Sequence, residues 1–517
     1  PLLWFRKITN HLKDNGFEIN PYDICVANKQ VNGKQLTVMW HVDDLKVSHK
    51  ELPVVEGFIQ WVKDTFEEPK IKKITPSMGK IHDYLGITVD YTIPGVVRLY
   101  MKDYIKNVLD KFKFKDELVG MRVPQTPAAD HLYTVNPQAD KLSDDKREEL
   151  HTVVAKVLFL CKRTRPDIMP TVPFLCTRVK YADVDDWKKL LRLLKYLEDT
   201  VDLELRLSAE EGDILIPIFS PDGSHAVHAD MKGHTGSSMT LGKGSVMSLS
   251  NKQKINTKSS TETELVAADE VLDQALWTKH FLEAQGYQCE ITVYQDNTSA
   301  ILLEKNHQES QSRRTRHLNI RYFRIKHYIH DGSITVQYCP TDLMTGDYFT
   351  KPLQGKKFFR HRMSIMNHTV HRLKSLPMGS PLANRSVLEN THTTVRTYEV
   401  SEPRMIEGDH NDFSALGAET NNGRANMKAS RVRTADQIEA ALFEDAETEW
   451  ILIQRKVRAK KPKHDTNEDV NMDVVQDNAE HRVEARGDVG GRSKTKKRVN
   501  FNIWTEKLTL FSLSEHQ

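Results

Sequence analysis

Four acidic residues, far apart in the chain, have the type and setting expected of ligands in one metal site. Asp222 and Asp296 each follow an apolar, strand-like run. Glu264 falls in the first turn of a long helical pattern, and Asp347 follows the run "SITVQYC" and a polar loop. Acids at strand ends and on a facing helix are how an α/β domain gathers carboxylates that are distant in sequence.

Such a cluster would suit a hard divalent cation. Mg2+ takes oxygen ligands in proteins and usually keeps several waters. Two ions about 4 Å apart can clamp the attacking and leaving oxygens of a phosphodiester. A site of this kind, with two Mg2+ ions or Mn2+ in their place, can serve phosphodiester chemistry.

The phrases around the acids resemble the ribonuclease H domain of copia-type long-terminal-repeat retrotransposon Pol polyproteins. They are "KQKINTKSSTETEL", "QDNTSAILLEKN", "RTRHLNIRYFRIKHYI" and "DYFTKPLQG", and they occur in family order. The resemblance implies hydrolysis of the RNA strand of an RNA–DNA hybrid. It implies one set of side chains as both catalytic residues and metal ligands: Asp222, Glu264, Asp296 and Asp347. Because Gly346 stands where the family usually has Ala, Asp342 stays open as a rival to Asp347.

Two glutamates on the long helix are candidates for the metal ligand. Ser259 with Glu262 fits a capping box, and so does Thr261 with Glu264. Capping is therefore an alternative to metal binding for both acids. The family phrase assigns Glu262 to capping and Glu264 to the metal.

Arginines are dense around the phrase "RTRHLNIRYFRIKHYI", which predicts a helix from about residue 315 to Gly332. Guanidinium groups suit bidentate phosphate contacts. A hybrid would be gripped through its backbone, its shape and its 2′-hydroxyls. The predicted nucleic-acid-binding residues are Arg313, Arg314, Arg316 and His317. From its setting, His317 either binds a phosphate or caps the start of the helix.

A second acidic pair lies near the start of the chain. Asn32-Gly33 is a strong hairpin-turn signal, and Asp43-Asp44 in "HVDDLKVSH" lie at the next turn. Adjacent carboxylates repel when both are ionised, and a cation relieves that cost, although Asp is also a common turn residue. The phrase resembles the polymerase metal-binding signature of the same elements. This implies that Asp43 and Asp44 are the metal-binding remnant of a reverse transcriptase palm.

The polymerase site is expected to be incomplete. The family's palm needs a further aspartate on an earlier strand, and nothing before residue 36 offers that context. A chain that starts at Pro1 is also expected to be a fragment or a processed piece. A two-metal site that lacks one ligand should position metal badly, so we predict that this chain alone does not polymerise DNA.

The middle of the chain has helical patterns. The lysine face of "MKDYIKNVLDKFKF" is either a solvated face or a track for the phosphates of a template–primer duplex. Asp185 or Asp186 is expected to cap the helix "VDDWKKLLRLLKYLEDT". Further on, antiparallel strands are expected at 214–219, at 224–228 with 236–241, and at 245–250, with a turn at Gly242-Lys243-Gly244.

The patterns together predict a multidomain chain with α+β and α/β regions. A chain of 517 residues is too long for one core. The expected regions are a partial palm at 1–97, a helical thumb and connection at 98–206, a ribonuclease H-like mixed sheet with flanking helices at 207–368, and a mostly disordered tail at 369–517.

Composition limits the partners and the compartment. The net charge is only +3, so the total does not indicate a nucleic-acid partner, and the distribution of charge matters more. The five cysteines form no C-x-x-C pair, which argues against a structural zinc or a disulfide scaffold. No apolar run reaches membrane-spanning length, and no signal peptide is seen. The expected partners are an RNA–DNA hybrid, a template–primer duplex and the rest of the Pol polyprotein, in cytoplasmic virus-like particles, the nucleus or both.

The tail has few aromatic residues and many polar ones, which predicts disorder. The stretch "TADQIEAALFEDAETEWILIQRKV" is expected to form a helix if it orders. The clusters "RKVRAKKPKH" and "RSKTKKRVNF" are either nuclear-localisation or nucleic-acid-binding segments, or solvated charge. Two functions stay open at this point: an active hybrid nuclease, and a catalytically decayed relic that still binds nucleic acid.

Overall fold

The computed structural model describes residues 2–67, 73–209, 214–305, 324–368 and 449–454, all within one compact unit. The described residues have a mixed α/β architecture with three large sheets. The basic residues Arg313, Arg314, Arg316 and His317 lie outside the described residues.

The first sheet is antiparallel and carries two helices, α1 (Leu2–Asp14) and α2 (Leu52–Phe66). Its strands are β1 (Glu18–Ile19), β2 (Val26–Val31), β3 (Lys34–His41), β4 (Asp44–His49), β5 (Thr75–Met78) and β18 (Glu449–Gln454), in the order β1-β2-β3-β4-β18-β5. The predicted hairpin is confirmed. Asn32 and Gly33 have φ of 53° and 72°, the left-handed values that a tight hairpin turn requires.

A second sheet joins segments that are far apart in sequence. Its strands are β6 (Ile81–Tyr84), β7 (Ile87–Ile93), β8 (Val96–Tyr100), β9 (Leu205–Ala209) and β13 (Gly242–Lys243), in the order β13-β9-β8-β7-β6. The predicted inner boundaries at residues 97 and 206 therefore fall within two paired strands, β8 and β9. The division into domains stays a prediction.

Between β8 and β9 the chain is helical, as predicted. The helices are α3 (Lys102–Asp110), α4 (Asp144–Arg163), α5 (Thr171–Arg178) and α6 (Val184–Asp199), with short 3-10 turns at Lys115–Leu118, Pro166–Ile168 and Val179–Tyr181. The expected cap of α6 was wrong. Asp183 is the N-cap and accepts hydrogen bonds from the backbone N–H of Asp185 and of Asp186, while the Asp186 carboxylate accepts from the Asp183 N–H. The helix therefore starts at Val184, two or three residues earlier than a cap at Asp185 or Asp186 would place it.

The third sheet carries the acidic residues. Its strands are β11 (Ile218–Ser224), β12 (His234–Thr240), β14 (Met247–Lys252), β16 (Ile291–Gln295) and β17 (Ile334–Tyr338), in the order β14-β12-β11-β16-β17, and the short strands β10 (Ile214–Leu215) and β15 (Gln288–Cys289) pair apart from it. The helices are α7 (Ser260–Ala284), α8 (Thr298–Lys305), α9 (described at 324–330), α10 (Asp347–Thr350) and α11 (Gly355–Met366).

Three local expectations in this region were wrong. The first long strand runs from Ile218 to Ser224, so Asp222 lies inside a strand and not after one. Residues 225–228 are not a strand, because the chain turns there with Ala226 at φ 52°. Gly242 and Lys243, expected in a turn, pair with β9.

One part of the tail is also different from the expectation. The predicted helix of "TADQIEAALFEDAETEWILIQRKV" is wrong at 449–454, where β18 pairs antiparallel with both β4 and β5. The hexapeptide is rich in β-branched and aromatic residues, which favour strands where an edge is open to them. The rest of the tail lies outside the described residues.

Candidate metal centre

Two of the predicted acids meet because their strands are parallel neighbours. β11 and β16 pair with Ile218 opposite Thr292 and Phe219 opposite Val293. Asp222 and Asp296 each follow the second of these pairs by the same number of residues. Both carboxylates therefore lie at the same edge of the sheet, as expected for acids near the carboxyl ends of parallel strands.

Asp347 completes a compact group of three. It is the first residue of α10, and the carboxylate oxygens of Asp222, Asp296 and Asp347 lie within 4.8 Å of one another. Asp222 is 1% exposed and Asp347 is 0% exposed, while Asp296 is half-buried. The rival Asp342 is exposed and is not in the group.

Two glycines allow the backbone segments to come this close. A Cβ at Gly346 would lie 2.4 Å from the carbonyl oxygen of Ser220 and 2.8 Å from the Cβ of Asp222. A Cβ at Gly223 would lie 2.6 Å from the carbonyl oxygen of Thr263. Gly346 is the residue that left Asp342 open as an alternative to Asp347. In the structure, its lack of a side chain allows α10 to pack closely on β11.

Glu264 faces the group from α7 without being part of the set of three. Ser259 is the N-cap of this helix and accepts from the Glu262 N–H at 3.2 Å, and the Glu262 carboxylate accepts from the Lys258 N–H at 2.6 Å. The Ser259 half of the predicted capping box is confirmed, whereas the Glu262 carboxylate binds the N–H of Lys258 and not that of the N-cap Ser259. Glu264 is buried and accepts a hydrogen bond of 3.0 Å from the Gly223 N–H.

The acids influence one another strongly. Burial raises the pKa of Asp222 to about 7, with a further contribution from Asp347. Burial, and then repulsion from Asp222 and Asp296, raises the pKa of Glu264 well above its usual value. Burial and mutual repulsion both disfavour the charged forms of Asp222 and Glu264, and a divalent cation bound among the acids would relieve both costs.

Two lysines that the sequence interpretation missed contact the same cluster. Lys351 forms an ion pair with Oδ1 of Asp347 and lies 3.7 Å from Oδ1 of Asp222. Lys357 pairs with Oδ2 of Asp347. Burial alone would raise the pKa of Asp347, but the two ammonium groups hold it below its usual value. One signal was available, since Lys351 follows Asp347 by four residues, the spacing of an ion pair on a helix.

The donor set fits a hard cation. Three carboxylates converge on one point from two strands and a helix, a fourth faces them, and no soft thiolate or imidazole ligand is part of the group. Oxygen-only ligands of this kind suit Mg2+ or Mn2+. Asp222, Asp296 and Asp347, with Glu264 beside them, are the residues that would hold such an ion.

The N-terminal acids form a less complete arrangement. Asp43 and Asp44 lie at the turn between β3 and β4, next to Val42 at φ 53°. Burial raises the pKa of Asp44, while nearby His41 acts in the opposite direction. Within the part of the chain that the structure describes, no third ligand joins these two in a compact group. The incomplete polymerase site stays a prediction.

The described part of the basic stretch is its C-terminal end, from Arg324 onward. Arg324, in the described part of α9, forms an ion pair of 3.2 Å with Asp269 and also pairs with Asp273, both on α7. It fastens α9 to the long helix. Whether the preceding arginines contact nucleic acid stays a prediction.

Comparison with known proteins agrees with the resemblance seen in the sequence. Residues 1–127 match the model of the reverse transcriptase (RNA-dependent DNA polymerase) family. The chain is 26% identical over 368 residues to the retrovirus-related Pol polyprotein from transposon TNT 1-94 of Nicotiana tabacum, which covers 69% of this chain and 26% of the relative.

Two further relatives have slightly lower sequence identity to this chain. The Pol polyprotein from transposon RE2 of Arabidopsis thaliana is 24% identical over 361 residues, covering 69% of this chain and 24% of the relative. A putative transposon Ty5-1 protein of Saccharomyces cerevisiae is 24% identical over 274 residues, covering 53% of this chain and 84% of the relative. The chain thus spans about a quarter of the two plant polyproteins. None of the described helices is long and apolar enough to cross a membrane.

Proposed function

Because this chain belongs to the copia-type retrotransposon Pol family, with a reverse transcriptase region at its N-terminus, we propose that its second half cleaves the RNA strand of RNA–DNA hybrids. The observation that carries the proposal is the convergence of Asp222, Asp296 and Asp347, whose carboxylate oxygens lie within 4.8 Å of one another. Glu264, buried beside Gly223, supplies a fourth acid.

In this proposal the protein contributes positions and charges. Asp222 and Asp347 are buried and Asp296 is half-buried, so Asp296 is the most accessible of the three acids to a phosphodiester. Mg2+ ions, when bound, would supply the charge that activates a water nucleophile and stabilises the leaving 3′ oxygen. Positioning and charge do most of the work in phosphoryl transfer, so no covalent protein intermediate is needed. The products would carry 5′-phosphate and 3′-hydroxyl ends.

The substrate would be held through its backbone. Arg313, Arg314, Arg316 and His317 are proposed as phosphate contacts, since planar guanidinium groups pair with phosphate oxygens in two places at once. Asp43 and Asp44 are proposed as the remnant of a polymerase metal site. Polymerisation by a longer polyprotein, and the hybrid and template–primer duplex as partners, belong to the same proposal.

The test is cleavage of an end-labelled RNA–DNA hybrid by the purified chain with Mg2+. We expect cleavage by the parent and a loss on the order of 100-fold or more in Asp296→Asn, because even supporting residues of a metal site are worth about 10- to 100-fold. Asp342→Asn is the matched control, since Asp342 is an exposed acid near Asp347 and outside the group. It should retain the parental rate.

The same assay separates the two functions that the sequence left open. If the folded parent and Asp296→Asn both bind the hybrid and neither cleaves it, the chain is a nucleic-acid-binding relic. If Asp296→Asn cleaves as fast as the parent, the site is wrongly assigned.

A further inference from the structure

The geometry points to Lys351 and Lys357 as internal counter-ions that occupy the acid cluster before a divalent cation binds, and that turn to substrate phosphate when the cation displaces them. The inference rests on the proposed metal site and deepens it. It assigns a role to two side chains that the proposed chemistry does not otherwise use.

The first step is the contact pattern around Asp347. Its two carboxylate oxygens are each paired with a different ammonium group, Oδ1 with Lys351 and Oδ2 with Lys357. Lys351 also lies 3.7 Å from Oδ1 of Asp222. The oxygens that would bind a metal ion are therefore the same oxygens that bind the lysines.

The second step is a conflict of charge and space. Mg2+ requires near-ideal octahedral geometry at short ligand distances. An ammonium group on the same oxygen atom occupies part of that space and repels the ion, so the two cations cannot both be held as the lysines now are. Metal binding must move at least Lys351, the lysine that contacts two of the three acids.

The third step is that the lysines are free to leave. Their side chains are 41% and 36% exposed, whereas the carboxylates of Asp222 and Asp347 are 1% and 0% exposed. The acids are fixed, and the ammonium groups reach the cluster from the solvent side on flexible stems. Displacement therefore moves only the ends of two side chains and leaves the backbone of α10 and α11 in place.

The fourth step is what the released groups would meet. Lys351 is the C-cap of α10 and Lys357 is in the first turn of α11, so both stay beside the cluster after they turn away. A phosphodiester bound at the metal ions would lie in the same space. An ammonium group is a compact point charge suited to phosphate, and each such contact makes binding more sensitive to salt.

The experiment measures binding and not turnover. Mn2+ affinity of the full chain is determined by titration calorimetry for the parent, Lys351→Gln and Lys351→Arg. Lys356→Gln is the matched control, an exposed lysine next to Lys357 on α11. We expect Lys351→Gln to bind Mn2+ on the order of tenfold more tightly, and the Arg variant and the control to stay near the parent.

Hybrid binding supplies the second readout. With Ca2+ in place of Mg2+, Lys351→Gln should bind a hybrid more weakly, with a slope of log affinity against log salt reduced by about 0.7 to 0.9, the amount for one phosphate contact. Lys357→Gln should change the Mn2+ affinity and the hybrid binding in the same directions as Lys351→Gln. The inference can therefore still be tested if one of the two variants fails to fold.

The failures are distinguishable. If the parent binds Mn2+ and Asp296→Asn does not, but Lys351→Gln and Lys357→Gln bind it no more tightly than the parent, the counter-ion role is wrong and the metal site stands. If neither the parent nor the lysine variants bind Mn2+, the metal site itself is wrong and this inference with it.

Discussion

The hydroxyl of Tyr348 donates a hydrogen bond of 2.7 Å to the backbone carbonyl of Asp167, and both residues are buried. Tyr348 directly follows the candidate ligand Asp347, whereas Asp167 belongs to the 3-10 turn after α4. The Asp167 carboxylate in turn accepts from Arg165 and from Tyr196 at 2.8 Å. The helical middle of the chain therefore anchors the segment that presents Asp347.

Removing that anchor should loosen the site. Tyr348→Phe keeps the ring and leaves the Asp167 carbonyl without this donor, which we expect to cost about 1–3 kcal/mol in the free energy of unfolding. Mn2+ affinity should fall on the order of tenfold, as for other supporting residues of metal sites. Urea unfolding and calorimetry measure the two effects. Tyr181→Phe is the control, because Tyr181 is 68% exposed, and equal behaviour of the two variants would contradict the anchoring role.

The close approach of α10 to β11 predicts that Gly346 cannot be enlarged freely. In Gly346→Ala the new Cβ would meet Ser220 and Asp222, so these segments must separate. We expect weaker Mn2+ binding, on the order of tenfold, together with lower thermal stability. Gly57→Ala is the matched control: Gly57 lies within α2, and an added Cβ meets nothing within 4 Å. That variant should gain about 0.5–1 kcal/mol in stability, and a parental Mn2+ affinity in Gly346→Ala would overturn the prediction.

The position of the α6 N-cap can be tested by mutation, because the sequence pattern predicted Asp185 or Asp186 and the structure has Asp183. Asp183→Ala removes the acceptor for two backbone N–H groups and should cost about 0.5–2 kcal/mol. It also removes a partner of Arg178, at 2.9 Å. Asp185→Ala, at a position where the sequence placed a cap, should cost clearly less, because Asp185 makes only an exposed ion pair with Lys188. Equilibrium unfolding of both variants decides between the two positions.

A buried histidine pair makes stability depend on pH. His228 contacts His234 at 2.9 Å, His234 contacts Ser250 at 2.8 Å, and the Ser250 hydroxyl donates to the Phe349 carbonyl at 2.7 Å. Since the serine hydrogen is used at Phe349, both rings donate from Nε2, and the His234 ring must be neutral because its Nδ1 accepts from His228. Burial lowers the pKa of His228 to about 4 and that of His234 to about 3.

The sign of the effect follows from these values. The unfolded chain takes up protons on both histidines below about pH 6.5, whereas the folded chain does not until about pH 4 and 3. Stability contributed by the pair is therefore present above pH 6.5 and is lost as pH falls, by roughly 1.4 kcal/mol per pH unit and histidine at most. His228→Asn should reduce the slope of unfolding free energy between pH 6.5 and 4.5. His327→Asn, at a side chain that is 71% exposed, should leave the slope unchanged.

Much of the local structure could be predicted because its causes are local. The turn at Asn32 and Gly33 and the helix α7 with Ser259 at its start follow from residue type and periodicity. The wrong predictions also concerned local elements, but these elements are set by pairing with segments that are distant in sequence. The sequence at Gly242 and Lys243 favours a turn, yet these residues pair with the edge of β9. The segment at 449–454 has helix-forming neighbours, yet it pairs between β4 and β5.

For the candidate site, residue type and the resemblance to the Pol family were enough to name the candidate ligands, four acids in settings that an α/β domain can bring together. Which of these acids lie together depends on the tertiary structure. It placed Asp347 in the group and Asp342 in solvent, set Glu264 beside the group, and brought Lys351 and Lys357 onto the same oxygens. Those outcomes depend on strand register and on the packing of α10 against β11, and such contacts between distant segments leave no periodic pattern in the chain.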